Sequence, residues 1–132
     1  MSATPSTLLA SLDAVAETDI DITPIFFERF FAAHPEHRDS FNRPQATQGA
    51  MVNEMIEYLA ALEVNDPWAL EAIDAMVAKH HSYGDISESV FDDALDILVE
   101  TLEEVAGERW TAQNSARWRA QASRMKGRIR AE

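Results

Sequence analysis

His80 is the side chain of this sequence best placed to do chemistry. In the run from Ile73 to Gly84, the residues Ile73, Met76, Val77 and His80 fall at i, i+3, i+4 and i+7. On a helix that spacing lines the imidazole up with three apolar side chains. At about 100° per residue, Lys79 and His81 lie to either side of the stripe, so His80 is the inward member of the pair. An inward imidazole is either a core residue held by a hydrogen-bond partner or a neutral ring that gives one nitrogen to a metal. The chain has no cysteine, which removes disulfides, thiolate nucleophiles and thiolate-ligated metal centres and leaves histidine as the soft ligand. No serine, histidine and acid arrangement, phosphate-binding glycine loop or convincing carboxylate pair is legible.

The elements that carry His80 are helices. The 132 residues suit a single domain spanning 1–132 with a loose tail over 1–5, and no strand pattern competes with the helical periodicity. Ser6 or Thr7 can cap a first helix with Leu8, Leu9, Leu12, Val15 and Ala16 as its apolar set. Thr18 to Pro24 supplies caps and a first-turn proline for a second helix, on which Phe26, Phe27, Phe30 and Phe31 make a wide apolar face. Pro35 to Phe41 reads as a short third helix broken by Asn42-Arg43-Pro44. A longer helix from about Gln45 to Glu63 puts Gln48, Val52, Met55, Leu59 and Leu62 on one stripe, with Met51 and Ile56 beside it.

Asn65-Asp66-Pro67 stops that helix and starts the one bearing His80, which Gly84 ends. Ser87 is positioned to cap a long helix whose inner residues include Val90, Phe91, Ala94, Leu95, Leu98, Val99 and Leu102. Its outer face holds Glu88, Asp92, Asp93, Asp96, Glu100, Glu103 and Glu104, a solvated charge run. After Gly107, a last helix keeps Trp118, Ala122, Met125 and Ile129 in register and gathers Arg117, Arg119, Arg124, Lys126, Arg128 and Arg130. Pairing with the acidic helix before it accounts for that positive charge.

Net charge is -12, which repels phosphate backbones and anionic membranes, so neither nucleic acid nor a membrane is an expected partner. No basic segment followed by a long apolar run opens the chain, and a cytoplasmic protein is the expectation.

The order of these motifs resembles a globin from about Leu8 to about Ile129. Phe26-Phe27-Glu28-Arg29-Phe30-Phe31-Ala32-Ala33-His34-Pro35, with Phe41 six residues after the proline, resembles the second and third globin helices. Lys79-His80 ending a helix four residues before Gly84 resembles the proximal segment, and Gly107, Trp110, Thr111 and Trp118 are similar to the last turn of bacterial single-domain haemoglobins. The resemblance implies an all-α globin fold of six to eight helices around a haem pocket, with haem b as cofactor and His80 as the metal ligand.

It also implies Phe41 packed flat on the haem, Arg43 at a propionate, and Phe27 above the ligand side of the iron. Met76, Ile86, Phe91 and Leu98 would touch the porphyrin. Gln48 and Val52 resemble the distal pair, although Gln45, Thr47 or Met51 could hold the place given to Gln48. His34 and His37 read as surface or rim residues, with His37 able to reach the haem edge.

The function so implied is reversible binding of a diatomic gas, whether oxygen, nitric oxide or carbon monoxide, for storage, supply or sensing. The alternative is a haem enzyme, a nitric oxide dioxygenase or a peroxidase-like protein, fed by a separate electron-donating reductase because the sequence ends where a fused flavin domain would begin. Phe27 stands where oxygen-activating bacterial globins often have tyrosine, which counts against tightly held oxygen. A haem-free globin-like sensor would require His80 to be purely structural.

Overall fold

The computed structural model describes residues 7–38, 45–81 and 87–130, and within them every regular element is helical. The helices are α1 (Thr7–Ala16), α2 (Ile22–Ala33), α3 (Gln45–Glu63), α4 (Trp68–His81), α5 (Glu88–Ala106) and α6 (Ala112–Arg130), with short 3-10 turns at Pro35–His37 and Gly107–Arg109. Phe41, Arg43, Gly84 and Ile86 lie outside the described residues, as does the break at Asn42-Arg43-Pro44.

Local chemistry sets the ends. Asp21 caps α2 by accepting the Thr23 N–H at 3.0 Å, which satisfies one of the donors a helix start leaves over. Asp66 does the same for α4, accepting the Trp68 N–H at 3.2 Å, with Pro67 in the first-turn position that needs no donor. Ser87 departs from expectation. It occupies the position before α5 but its hydroxyl makes no cap bond and pairs instead with the Ser89 hydroxyl at 2.9 Å. At the other end of α5, Gly107 takes φ 63°, and its N–H donates to the Glu103 carbonyl; a side chain there would meet the steric barrier to positive φ.

The apolar stripes meet in one core. α5 lies between α2 and α6, and α6 also packs on α1, α3 and α4. Leu98, Val99 and Leu102 of α5 are fully buried, as are Leu59 of α3, Ile73 of α4 and Trp118 of α6. Trp118 closes the bottom of this core, its indole N–H donating to the Ser11 hydroxyl at 2.8 Å, while Ser11 donates onward to the Leu8 carbonyl at 2.6 Å. Both polar groups are thereby satisfied away from water.

The basic residues of α6 are engaged within the chain. Arg119 meets Glu103 at 3.1 Å and Lys126 meets Asp96 at 2.7 Å, while Arg130 pairs with Asp92, all on α5. Arg128 turns the other way, to α4, and holds Asp74 with two nitrogens at 2.7 and 2.5 Å. Arg117 sits 3.8 Å from Glu63 of α3. Exposed pairs of this kind contribute at most about 1 kcal/mol each, so they orient α6 more than they hold it. Among the described residues, no helix is long and apolar enough to cross a membrane.

Candidate functional site

The four phenylalanines of α2 build one wall of an internal cavity. Phe26 and Phe30 stack nearly parallel with centroids 6.0 Å apart, and Phe27 meets Phe26 edge-on at 5.0 Å. Such offset and edge contacts suit the ring quadrupole and fix the ring orientations. Phe26, Phe27 and Phe30 all face the cavity, although sequence reasoning assigned a ligand-facing role to Phe27 alone.

The cavity lies between this wall and helices α3, α4, α5 and α6. Its volume is about 100 Å³ and its lining is almost wholly carbon and sulfur, with Met51, Met55, Met76 and Met125 contributed by three different helices. Unbranched thioethers have several rotatable bonds, so these walls can reshape around a guest at low cost.

His80 belongs to this lining. The ring is half-buried, whereas its neighbours Lys79 and His81 are exposed. Its Nδ1 lies 2.8 Å from the Met76 carbonyl oxygen one turn back. A carbonyl can only accept, so Nδ1 carries a proton, and in the neutral ring the lone pair then belongs to Nε2. Phe91 of α5 contacts the imidazole at a centroid distance of 5.7 Å and 69° between planes, limiting ring rotation. A hydrogen bond that fixes the tautomer and a packed neighbour that fixes the tilt are what a metal-binding histidine needs.

Several predicted site residues therefore share one cavity: Phe27, Met76, His80 and Phe91. Others do not reach it. Val52 and Leu98 are buried in the helical core, 1% and 0% exposed, and Gln48 is half-buried at the end of the first turn of α3 but is absent from the lining. The physical reason is the register of α3. Val52 and Leu59 point into the packed interior, and the face about 100° round the axis, carrying Met51, Glu54, Met55 and Tyr58, is the one turned to the cavity. Met51, Met55 and Tyr58 recur at i, i+4 and i+7, so a second stripe was legible; two methionines and a tyrosine simply read as less apolar than the valine and leucines beside them.

His37 also lines the cavity and stacks on Phe30 with centroids 6.3 Å apart. His34 does not line it. Its Nε2 meets Asp93 of α5 at 2.7 Å and its Nδ1 meets Glu36 at 3.2 Å, tying the end of α2 to α5.

Tyr58 is the one phenol on the described wall. Burial first, and then the nearby carboxylates Glu54 and Glu57, disfavour the phenolate and raise its pKa above the ordinary 10.0. The proton is thus held more tightly in the folded chain than in the unfolded one. The stabilisation that follows is complete below about pH 10 and is lost as pH rises through the elevated value. An ultraviolet titration should therefore show one of the two tyrosines ionising late, with Tyr58→Phe removing that late step; a single ordinary transition in the wild type would contradict it.

A helical shell, a fixed imidazole and an apolar slot are parts found together in one familiar architecture, and the family model described as Globin matches residues 25–129. The chain belongs to the globin family. The match runs from the phenylalanine wall of α2 to Ile129 near the end of α6, so it covers every element that lines the cavity. No solved structure matches this globin. Among its described residues, no group of three or more histidine, aspartate or glutamate side chains could cage a metal ion. An apolar cavity whose lining includes His80, with its Nδ1 proton already engaged, is instead a donor set that would suit haem, whose porphyrin brings its own four nitrogens.

Proposed function

We propose that this globin binds haem b through His80 and, with that group bound, takes up a small diatomic gas reversibly, as a cytoplasmic store, supply or sensor. One observation carries the reading: the half-buried imidazole of His80 lines an apolar cavity with its Nδ1–H engaged by the Met76 carbonyl. That hydrogen bond leaves Nε2 as the basic nitrogen and makes it a better electron donor.

The lining also fits the group. Phe27, Phe91, Met51 and Met76 offer the flat and deformable apolar surfaces on which a porphyrin buries its faces. The present volume of about 100 Å³ lies below the ~300 Å³ at which preformed cofactor sites begin, so uptake requires the methionine side chains to swing outward. Bound haem would supply the iron chemistry. The chain's own part would be to hold the group through His80, with Phe27, Phe91, Met51 and Met76 excluding water around it.

Adding ferric haem to the purified chain should give a Soret band that saturates at one equivalent and shifts on reduction under carbon monoxide. A chain that stays colourless, or takes up haem without a saturable end point, would remove the proposal. Consumption of nitric oxide by the oxygenated protein, with a reductase supplied, separates a dioxygenase from a binding protein by turnover.

A further inference from the structure

The methionines of this chain are concentrated around the cavity. The sequence holds five, and every one after Met1 lines it: Met51, Met55, Met76 and Met125. Met51 and Met55 stand one helical turn apart on α3, and on α4 Met76 stands one turn before His80. Side chains at i and i+4 share a helix face, with their Cβ atoms about 5–6 Å apart. Two such pairs on packed helices present three thioethers and an imidazole to a common space, and Met125 adds a fourth sulfur from α6. Core packing would explain methionine at any one of these positions. It leaves unexplained why the residue type is confined to this lining, while the core elsewhere relies chiefly on leucine, valine and alanine.

We propose that the haem-free chain binds one copper(I) ion in this cavity, through Nε2 of His80 and the thioether sulfurs of the α3 and α4 pairs, with Met125 as a further donor. The inference goes beyond the haem reading and does not depend on it. The two guests would compete for the same imidazole.

Softness decides the metal. A thioether is a neutral, polarisable donor that selects copper(I) over harder cations. His80 adds a nitrogen whose partner atom, Nδ1, already donates to the Met76 carbonyl at 2.8 Å, so the neutral ring keeps its lone pair on Nε2. None of these donors is negative, and a bound ion therefore retains its charge within an apolar enclosure. Burying one charge costs much less than burying two, which disfavours zinc(II) and copper(II). Glu54 is the carboxylate of the described lining and is exposed, so it offsets the single charge from the solvent side. Met51, Met55, Met76 and His80 are half-buried and Met125 is buried, so donors run from the rim of the cavity into its depth. Their rotatable bonds let the sulfurs converge. A space of about 100 Å³ admits a single ion without the opening that a porphyrin requires.

The full chain, prepared without haem, can be titrated with copper(I) under anaerobic conditions against the chromogenic chelator bicinchoninate. It should withdraw one equivalent per chain, and X-ray absorption at the copper edge should show sulfur neighbours beside nitrogen. Leucine replaces methionine at nearly constant volume, so Met51→Leu with Met55→Leu should keep the helix content and Tm close to wild type. That double variant, and separately His80→Ala, should lose affinity at least about tenfold, the scale on which even outer partners of a metal site act. Zinc(II) should stay in solution. The proposal is overturned if the wild type cannot compete with bicinchoninate, if copper is bound by nitrogen and oxygen alone, or if retention is unchanged with all four methionines replaced by leucine. A chain that takes copper(I) but never haem would sink the haem reading alone; one that loads haem yet leaves copper with the chelator would sink this site alone.

Discussion

Replacing His80 by alanine is expected to strip the loaded protein of its axial ligand, replacing the wild-type Soret spectrum by that of weakly held haem. The size of the effect follows from the donor inventory. Among the described cavity-lining residues, the nitrogen bases are His37 and His80, and of these His80 has the Nδ1 proton committed to a backbone carbonyl of its own helix at 2.8 Å. His37 stacks on Phe30 beyond the end of α2, and it is not expected to take over. Imidazole added to the solution should enter the space left by the deleted ring and restore much of the spectrum, an outcome that a merely unfolded variant could not give. If His80→Ala retains the wild-type ferric, ferrous and carbon monoxide spectra, another group holds the iron and the assignment of His80 is wrong.

The largest effect on stability is expected at Trp118. The side chain is 0% exposed and its indole N–H is satisfied by Ser11 of α1, 107 positions away in sequence. Trp118→Ala removes the ring and the donor to that hydroxyl, which keeps its own bond to the Leu8 carbonyl, at a cost of about 3–5 kcal/mol for the cavity. A domain of this size has only about 5–15 kcal/mol in hand, so a fall in Tm of roughly 10–20 °C follows. Ser11→Ala isolates the polar part. It leaves the indole N–H buried without its acceptor, a penalty of about 1–3 kcal/mol. Chemical denaturation of the two variants should rank them in that order; equal losses would mean that the ring's bulk contributes little beyond its hydrogen bond.

Periodicity made the helices legible because each one buries a single continuous stripe. The span of α3 and the inward turn of His80 both follow from 3.6-residue spacing, and the stops at Asn65-Asp66-Pro67 and Gly107 follow from backbone chemistry. Spacing alone could not say which of two adjacent stripes on α3 meets the core and which meets a cavity. Val52 and Met51 differ by 100° of rotation, and only the contacts of α3 with α6 and α4 decide between them. The wall contributions of Met125 and Ile129 were hidden for a similar reason: both were visible as inward residues of α6, but the cavity they help to close exists only once α2 has packed on α5. Ser87 misled because residue type indicates a cap, whereas the rotamer that makes one competes with the nearby Ser89 hydroxyl.

The engagement of the α6 cations with acids on three neighbouring helices has an effect on traffic into the cavity. With those positive groups spent on internal neighbours, the excess of -12 is left to shape the potential that an approaching molecule feels. Gases without charge cross that field unhindered. Nitrite, azide and superoxide must climb it, more steeply in dilute buffer than in salt, which makes the envelope itself a filter acting before any pocket residue is met.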